Sequence, residues 1–349
     1  MSEISSELVN VEALQRFLDA EVPGSRGSLE IEQHVAGFSN VTLFVARADQ
    51  RWVLRRPPAG PLLPSAHDVL REYRFISALH GHARVPRPVL ACEDDSIIGA
   101  PFYLMERVDG AVARDRIPPQ YDTPRGRRRM AEEMVDALVE LHAVDWEAVG
   151  LRGRPSGYLQ RQLDLWTRQW ELTRPHTRDL PGIDEVLRWL GGSVPDSAET
   201  TVVHGDYKLD NVIFAGDEPR LAAIFDWEMA TVGDPLADLG WFLAYWGDPA
   251  DPAVEKDGRV LATDLSRHLT QNGFPDRAEL ARRYADRSGR SVGDLKFYLV
   301  LSAAKLCIIL EGLYRRFLEG SASNPDSADF EWGVPLLVDR LQRLAAEPA

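Results

Sequence analysis

Apolar positions recur along this chain first at strand-like and later at helical spacing. After an amphipathic helix around Val11–Leu18, "SLEIEQHV" and "VTLFVARADQRWVLRRP" alternate as three strands do, the last two joined by a turn at Asp49-Gln50. A Pro/Gly-rich break, "PPAGPLLP", follows. Ser65, with Asp68 three positions on, then imitates a capping box and opens a helix with the stripe Val69, Tyr73, Ile76 and Leu79. "RPVLACED" and "APFYLMERV" fit two further strands. From Thr123-Pro124, an N-cap followed by proline at the first helical position, the period changes. Met130, Met134, Leu138 and Leu141 mark one long helix, and Trp166 and Trp170 lie four apart in another. Short strands come around 201–225, and the remainder is mostly helical. The pattern predicts an α+β chain with a small β-rich lobe over 1–108 and a larger, mainly helical lobe over 109–349. A linker is expected near Val108–Ala113.

Within the helical lobe, "VVHGDYKLDNVIF" (202–214) sets a polar knot between two β-branched apolar runs. Such a loop at strand ends is where chemistry is usually carried, although a hairpin with an Asp/Asn-rich turn would read the same. Beyond the turn "AGDEPR", the strand in "LAAIFDWE" pairs as a hairpin with 212–214 and ends at Asp226. Asp206, Asn211 and Asp226 would then meet at one edge. Two carboxylates and an amide make a hard-oxygen set that suits Mg²⁺, an ion that usually also binds substrate phosphates.

Composition narrows the choice. The 349 residues allow two compact units. The net charge of −14 argues against a nucleic-acid binder and against a polybasic membrane surface. Two distant cysteines, Cys92 and Cys307, exclude a disulfide framework and make a zinc site improbable. No secretory signal is visible in "MSEISSELVN". The apolar run "LKFYLVLSAAKLCIILEGLYRRF" is interrupted by Lys305 and Glu311, which suits a buried helix better than a bilayer span. A cytoplasmic enzyme is expected. Of 40 basic residues four are lysines, and none precedes Lys208.

"HGDYKLDN" followed by "FDWE" resembles the catalytic and metal-binding segments of the aminoglycoside phosphotransferase family, which has the two-lobed protein-kinase-like fold. Asp206 and Asn211 keep the kinase spacing, Asp226 stands in the place of the Asp-Phe-Gly aspartate, and "GDPLADLG" (233–240) is a further hallmark. "VLRRPP", "REYRFISAL", "ELHAVDW" and "GYLQRQL" are similar to the branch of phosphotransferase-like domains linked to acyl-CoA dehydrogenases. The resemblance implies transfer of the ATP γ-phosphate to a small-molecule hydroxyl. Asp206 would accept or orient the hydroxyl proton, and Asn211 and Asp226 would hold Mg²⁺. Lys208 sits where protein kinases place a lysine facing the transferred group; aminoglycoside kinases often have histidine there. Asp238 is expected to brace the loop, Asp234 to cap a helix, and His204 to serve structure.

Two features depart from that pattern. With no lysine before 208, Arg55 is the substitute for the phosphate-gripping strand lysine, with Glu72 as its partner; the alternative is a solvated strand-end cation. "VAGFSNVTLFV" has a single glycine, Gly37, so Ser39 and Asn40 either form a small phosphate nest or a plain turn. The backbone at Glu106 and Val108 is expected to meet adenine. These departures leave open a nucleotide-binding pseudokinase or regulatory module. The acceptor is either a hydroxy acid or hydroxyacyl-CoA, or an aminoglycoside. Trp146, Trp166 and Trp170 read as core or, alternatively, as an acceptor pocket.

Overall fold

The computed structural model describes residues 8–23, 27–34, 40–48, 50–58, 68–114, 116–154, 156–196, 199–246, 248, 251, 254–261, 269–322 and 325–347. The chain forms two compact units, Met1–Asp109 with Ala222–Ala230, and Gly110–Leu221 with Thr231–Ala349.

In the first unit α1 (Val11–Glu21) starts at Asn10, whose side chain accepts the Ala13 N–H. Strands β1 (Glu30–His34), β2 (Val41–Arg47), β3 (Gln50–Arg56), β4 (Pro88–Cys92) and β5 (Phe102–Glu106) make one antiparallel sheet in the order β1-β2-β3-β5-β4. Arg47 pairs with Gln50, so Gln50 is already strand and the turn includes Ala48 at φ 52. Asp49 lies outside the described residues. Leu43, Val45, Trp52, Leu54, Phe102 and Leu104 pack with Leu14 and Leu18 of α1 into the core of this unit. The helix α2 spans Val69–Leu79 and is capped by Asp68, which accepts the Arg71 N–H at 2.9 Å. The cap expected at Ser65 falls outside the described residues, and Asp68 itself does that work. Within the buried face of α2, Glu72 sits among Val69, Phe75, Ile76 and Leu79. A carboxylate there needs partners.

In the second unit Thr123 caps α3 (Pro124–His142), accepting the Gly126 N–H, as its sequence requires. Then come α4 (Tyr158–Thr173), α5 (Pro181–Gly191), β6 (Thr201–Val203), β7 (Val212–Ala215), β8 (Arg220–Ile224), β9 (Thr231–Gly233) and α6 (Pro235–Tyr245). The last β8 residues pass into the first unit. A short ladder of β10 (Glu255–Lys256) and β11 (Arg259–Val260) precedes α7 (Arg277–Ser288), α8 (Leu295–Leu318) and α9 (Phe330–Ala346). The core joins α4, α5, α8 and α9 and includes Trp166, Trp170, Ile183, Ile308 and Leu337. Trp166 and Trp170 are therefore packing residues.

Helix α8 is long and apolar enough to cross a membrane, but 67% of its apolar window is buried inside the protein. Both of its interrupting charges are buried and bonded. Glu311 takes a forked pair of bonds from Arg178 at 3.1 and 2.7 Å. Lys305 turns toward the loop after β6. Gly240 lets α6 approach α8 closely, for a Cβ there would lie 2.6 Å from Tyr298 Cβ.

Candidate active site

The residues between β6 and β7 do not form a hairpin turn. Strand β6 pairs with β9 in the register Thr201↔Gly233 and Val203↔Thr231, whereas β7 pairs with β8. The segment from His204 to Asn211 is thus a connection between separate ladders, and side chains from α6 hold it in shape. Asp238 accepts the backbone N–H of His204 at 2.6 Å and of Gly205 at 2.7 Å, the brace expected of it. Gly205 has φ 83, a left-handed conformation that favours glycine immediately before the aspartate. His142 of α3 lies 3.4 Å from Asp238 and 2.7 Å from the Tyr284 hydroxyl. Burial pushes the His142 pKa down, against the opposing pull of Asp238. Burial works against the Asp238 charge, yet the His142 hydrogen bond and charge, His204 and the Gly205 N–H bring its pKa below the usual value. Asp234 caps α6 through the Leu236 N–H and accepts the Tyr298 hydroxyl at 2.7 Å.

The Asp206 carboxylate is oriented from two sides. Trp241 Nε1 donates to Oδ1 at 2.9 Å, and Asn211 Nδ2 donates to Oδ2 at 2.8 Å and to the Asp206 carbonyl at 2.9 Å. Lys208 Nζ is 3.4 Å from Asp206 and 3.8 Å from Asp210. Burial disfavours the Lys208 ammonium, but Tyr245, Asp206 and Asp210 raise its pKa overall, so the lysine stays charged. His204 is fully buried, and its Nδ1 accepts the Asp206 N–H at 3.2 Å, in keeping with a structural role. Asp206, Lys208 and Asn211 therefore come together within one loop.

In the first unit Arg55 of β3 is a half-buried hub. It donates to Thr42 at 2.9 Å, lies 3.5 Å from Glu72, and pairs with Asp226 at 3.0 Å. Burial opposes its charge, but Glu72, Tyr103, Asp226 and Glu228 more than offset this and raise its pKa. The solvated-cation reading of Arg55 is thereby excluded, and its expected partner Glu72 is in place. Burial raises the Glu72 pKa while Arg55 pulls it down. Asp226 has φ 69, rare for a residue with a side chain and common where loops serve function. The N–H of Trp227 donates to Glu72 at 3.3 Å, and Arg71 donates to the carbonyls of Glu228, at 3.0 Å, and Ala230. Helix α2 thus fixes the corner that carries Asp226.

Asn40 is buried and donates to Glu228 at 3.4 Å, leaving its Oδ1 with no hydrogen-bond partner among the described residues. Ser39 and Gly37 lie outside the described residues. The Glu106 N–H donates to the Arg87 carbonyl at 2.9 Å, and Val108 follows as half-buried chain. Among the described residues no group of three or more His, Cys, Asp or Glu side chains could hold a metal. Asn211 and Asp226 each carry a hard oxygen donor. Asn211 commits its Nδ2 to Asp206 and keeps an amide oxygen, while Asp226 presents a partly exposed carboxylate.

Two contributors were not foreseen from the sequence, Trp241 and Lys305. Trp241 directly follows "GDPLADLG", and Lys305, one of only four lysines in the chain, interrupts an apolar run, the signal that could have marked it.

This fold is kinase-like and is shared with solved phosphotransferase structures. The sequence profile of the phosphotransferase enzyme family matches residues 30–298, and the chain belongs to that family. It is 36% identical to acyl-CoA dehydrogenase family member 11 of Gallus gallus over 94% of its own length, but spans only 42% of that relative. A solved structure from Ralstonia eutropha, assigned as an aminoglycoside phosphotransferase, is 33% identical with TM-score 0.79, covering 96% of this chain and 98% of the other. The aminoglycoside phosphotransferase APH(4)-Ia, in complex with AMP-PNP and hygromycin B, shares the fold at 17% identity, TM-score 0.60, and 96% and 99% coverage.

Proposed function

We propose that the chain is an ATP-dependent kinase that phosphorylates a hydroxyl of a small molecule. The observation that carries this reading is the Asp206 carboxylate, oriented by Trp241 and Asn211 with Lys208 beside it. The acceptor hydroxyl gives its proton to Asp206 as its oxygen bonds to the γ-phosphorus; the bond to the β–γ bridging oxygen breaks and ADP leaves. Lys208 faces the transferred group. Arg55, held by Glu72, grips the phosphates with Ser39 and Asn40, and the Glu106 carbonyl and Val108 backbone receive adenine. Asn211 and Asp226 are the ligands of Mg²⁺, which supplies neutralisation of phosphate charge. The AMP-PNP bound by APH(4)-Ia supports the nucleotide. The acyl-CoA dehydrogenase relative favours a hydroxy acid or hydroxyacyl-CoA as acceptor over an aminoglycoside.

Phosphate transfer from γ-labelled ATP, screened across hydroxyacyl-CoAs, hydroxy acids, choline, homoserine, macrolides and aminoglycosides, tests the proposal. Product formation must vanish in Asp206→Ala. One observation favours a second reading, a nucleotide-binding regulatory module: Arg55 already neutralises Asp226 in an ion pair. Thermal stabilisation by Mg-ATP with no transfer to any acceptor would select it.

A further inference from the structure

Lys305 occupies a position in α8 flanked by Ala304, Leu306, Cys307 and Ile308, where packing alone would be served by leucine. It is 8% exposed. Its Nζ donates to the Gly205 carbonyl at 2.7 Å and lies 3.8 Å from the centroid of the Trp241 ring and 5.6 Å from that of Trp166. Trp241 in turn donates its indole N–H to Asp206 Oδ1. One ammonium therefore reaches Asp206 by two routes, through the backbone of the preceding residue and through the indole that orients its carboxylate.

We propose that Lys305 is a positioning residue for phosphoryl transfer, its cation holding Asp206 through Trp241 and the Gly205 carbonyl. The proposal rests on the kinase reading above. A cation on the indole face draws electron density from the ring and strengthens its N–H as a donor, and the bond to Gly205 fixes the backbone at the same time.

The charge state of Lys305 is poised. Burial pulls its pKa down to about 8, Asp206 and Asp238 favour the ammonium, and Lys208 opposes it. Because this value lies below the ordinary 10.5, a charged Lys305 costs stability at pH below about 8, and the cost is relieved as pH rises toward 10.5. A residue kept only for the fold would show the opposite economy. Replacing Lys305 with an apolar chain of similar length should leave the melting temperature unchanged or raised while impairing the chemistry.

The test combines NMR of the full chain with kinetics. The Trp241 indole N–H resonance, assigned by its loss in Trp241→Phe, should titrate with a midpoint near pH 8 in the wild type. In Lys305→Met it should shift and cease to titrate; in Lys305→Arg it should stay near its low-pH position to beyond about pH 10, since arginine remains charged. With Mg-ATP and water as the acceptor, Lys305→Met should lower kcat about tenfold with KM for ATP little changed, the loss of one oriented hydrogen bond. Lys305→Arg should restore most of that rate and extend it to alkaline pH. An indole resonance that is unmoved in Lys305→Met, or that still titrates there, overturns the proposal, as does an unchanged kcat. If the wild type hydrolyses no ATP and phosphorylates no acceptor, the kinase reading fails, and the indole titration alone then decides whether Lys305 positions Asp206.

Discussion

The two aspartates of the proposed chemistry are mounted in different ways. Asp206 is oriented by neutral donors, the indole of Trp241 and the amide of Asn211, on a loop whose backbone Asp238 braces. Asp226 is held by a guanidinium, on a left-handed residue whose successor is tied to Glu72. Neutral donors fix the direction of the Asp206 carboxylate, while the Lys208 ammonium stands off at 3.4 Å, farther than the 3.0 Å between Arg55 and Asp226. A guanidinium compensates the charge and must yield part of it to any cation that binds. The first mounting suits a base, and the second suits a ligand whose charge is held in reserve.

The sharpest way to break this comparison is Asp206→Asn, which keeps the size and the Trp241 bond but removes the proton acceptor. Transfer should fall about 10³-fold, within the range of general-base catalysis, with the melting temperature little altered. A loss of less than tenfold would mean that Asp206 orients and does not accept. In the other unit, Glu72→Ala should destabilise by about 3–5 kcal/mol, because the mostly buried Arg55 guanidinium loses one of its two carboxylate partners and the Trp227 N–H its acceptor. Glu72→Gln, which keeps an acceptor, should cost only about 1–3 kcal/mol. Equal urea midpoints for the two variants would show that charge is not what holds the corner.

Trp241→Phe sharpens the contrast on the Asp206 side. It keeps a ring for Lys305 and deletes the donor to Oδ1, so kcat should drop about tenfold while ATP affinity, measured by calorimetry, stays put. The smallest effect concerns pH. The pKa of His142 is depressed in the folded protein below its ordinary 6.5. Below that pH the unfolded chain binds a proton that the folded chain refuses, so stability should decline on acidification from about 6.5. The contribution of Asp238, whose folded pKa is also depressed, is lost only at lower pH, below the usual 3.8. Urea midpoints between pH 5 and 8 should therefore slope in the wild type and flatten in His142→Gln.

Local signals account for what could be read from the sequence alone. The Thr123 cap, the strands of the first sheet, the long apolar helix and the order Asp206, Asn211, Asp226 all follow from periodicity, capping chemistry and spacing over a few residues. The kinase resemblance, with no lysine before 208, pointed to Arg55 and Glu72 as partners, and they lie 3.5 Å apart. The Ser65 cap misled because Asp68, serine-like in its capping ability, lies three residues later on the same approach. Tertiary structure decided what spacing does not encode. That β6 pairs with β9 and not β7 removed the hairpin reading of the knot. The bonds that orient the chemistry, Trp241 to Asp206, Lys305 to Gly205 and Arg55 to Asp226, join positions 35, 100 and 171 residues apart. Such partners are chosen by which faces pack together, and packing is a property of the whole unit, whereas caps and periods are set within one turn or one strand.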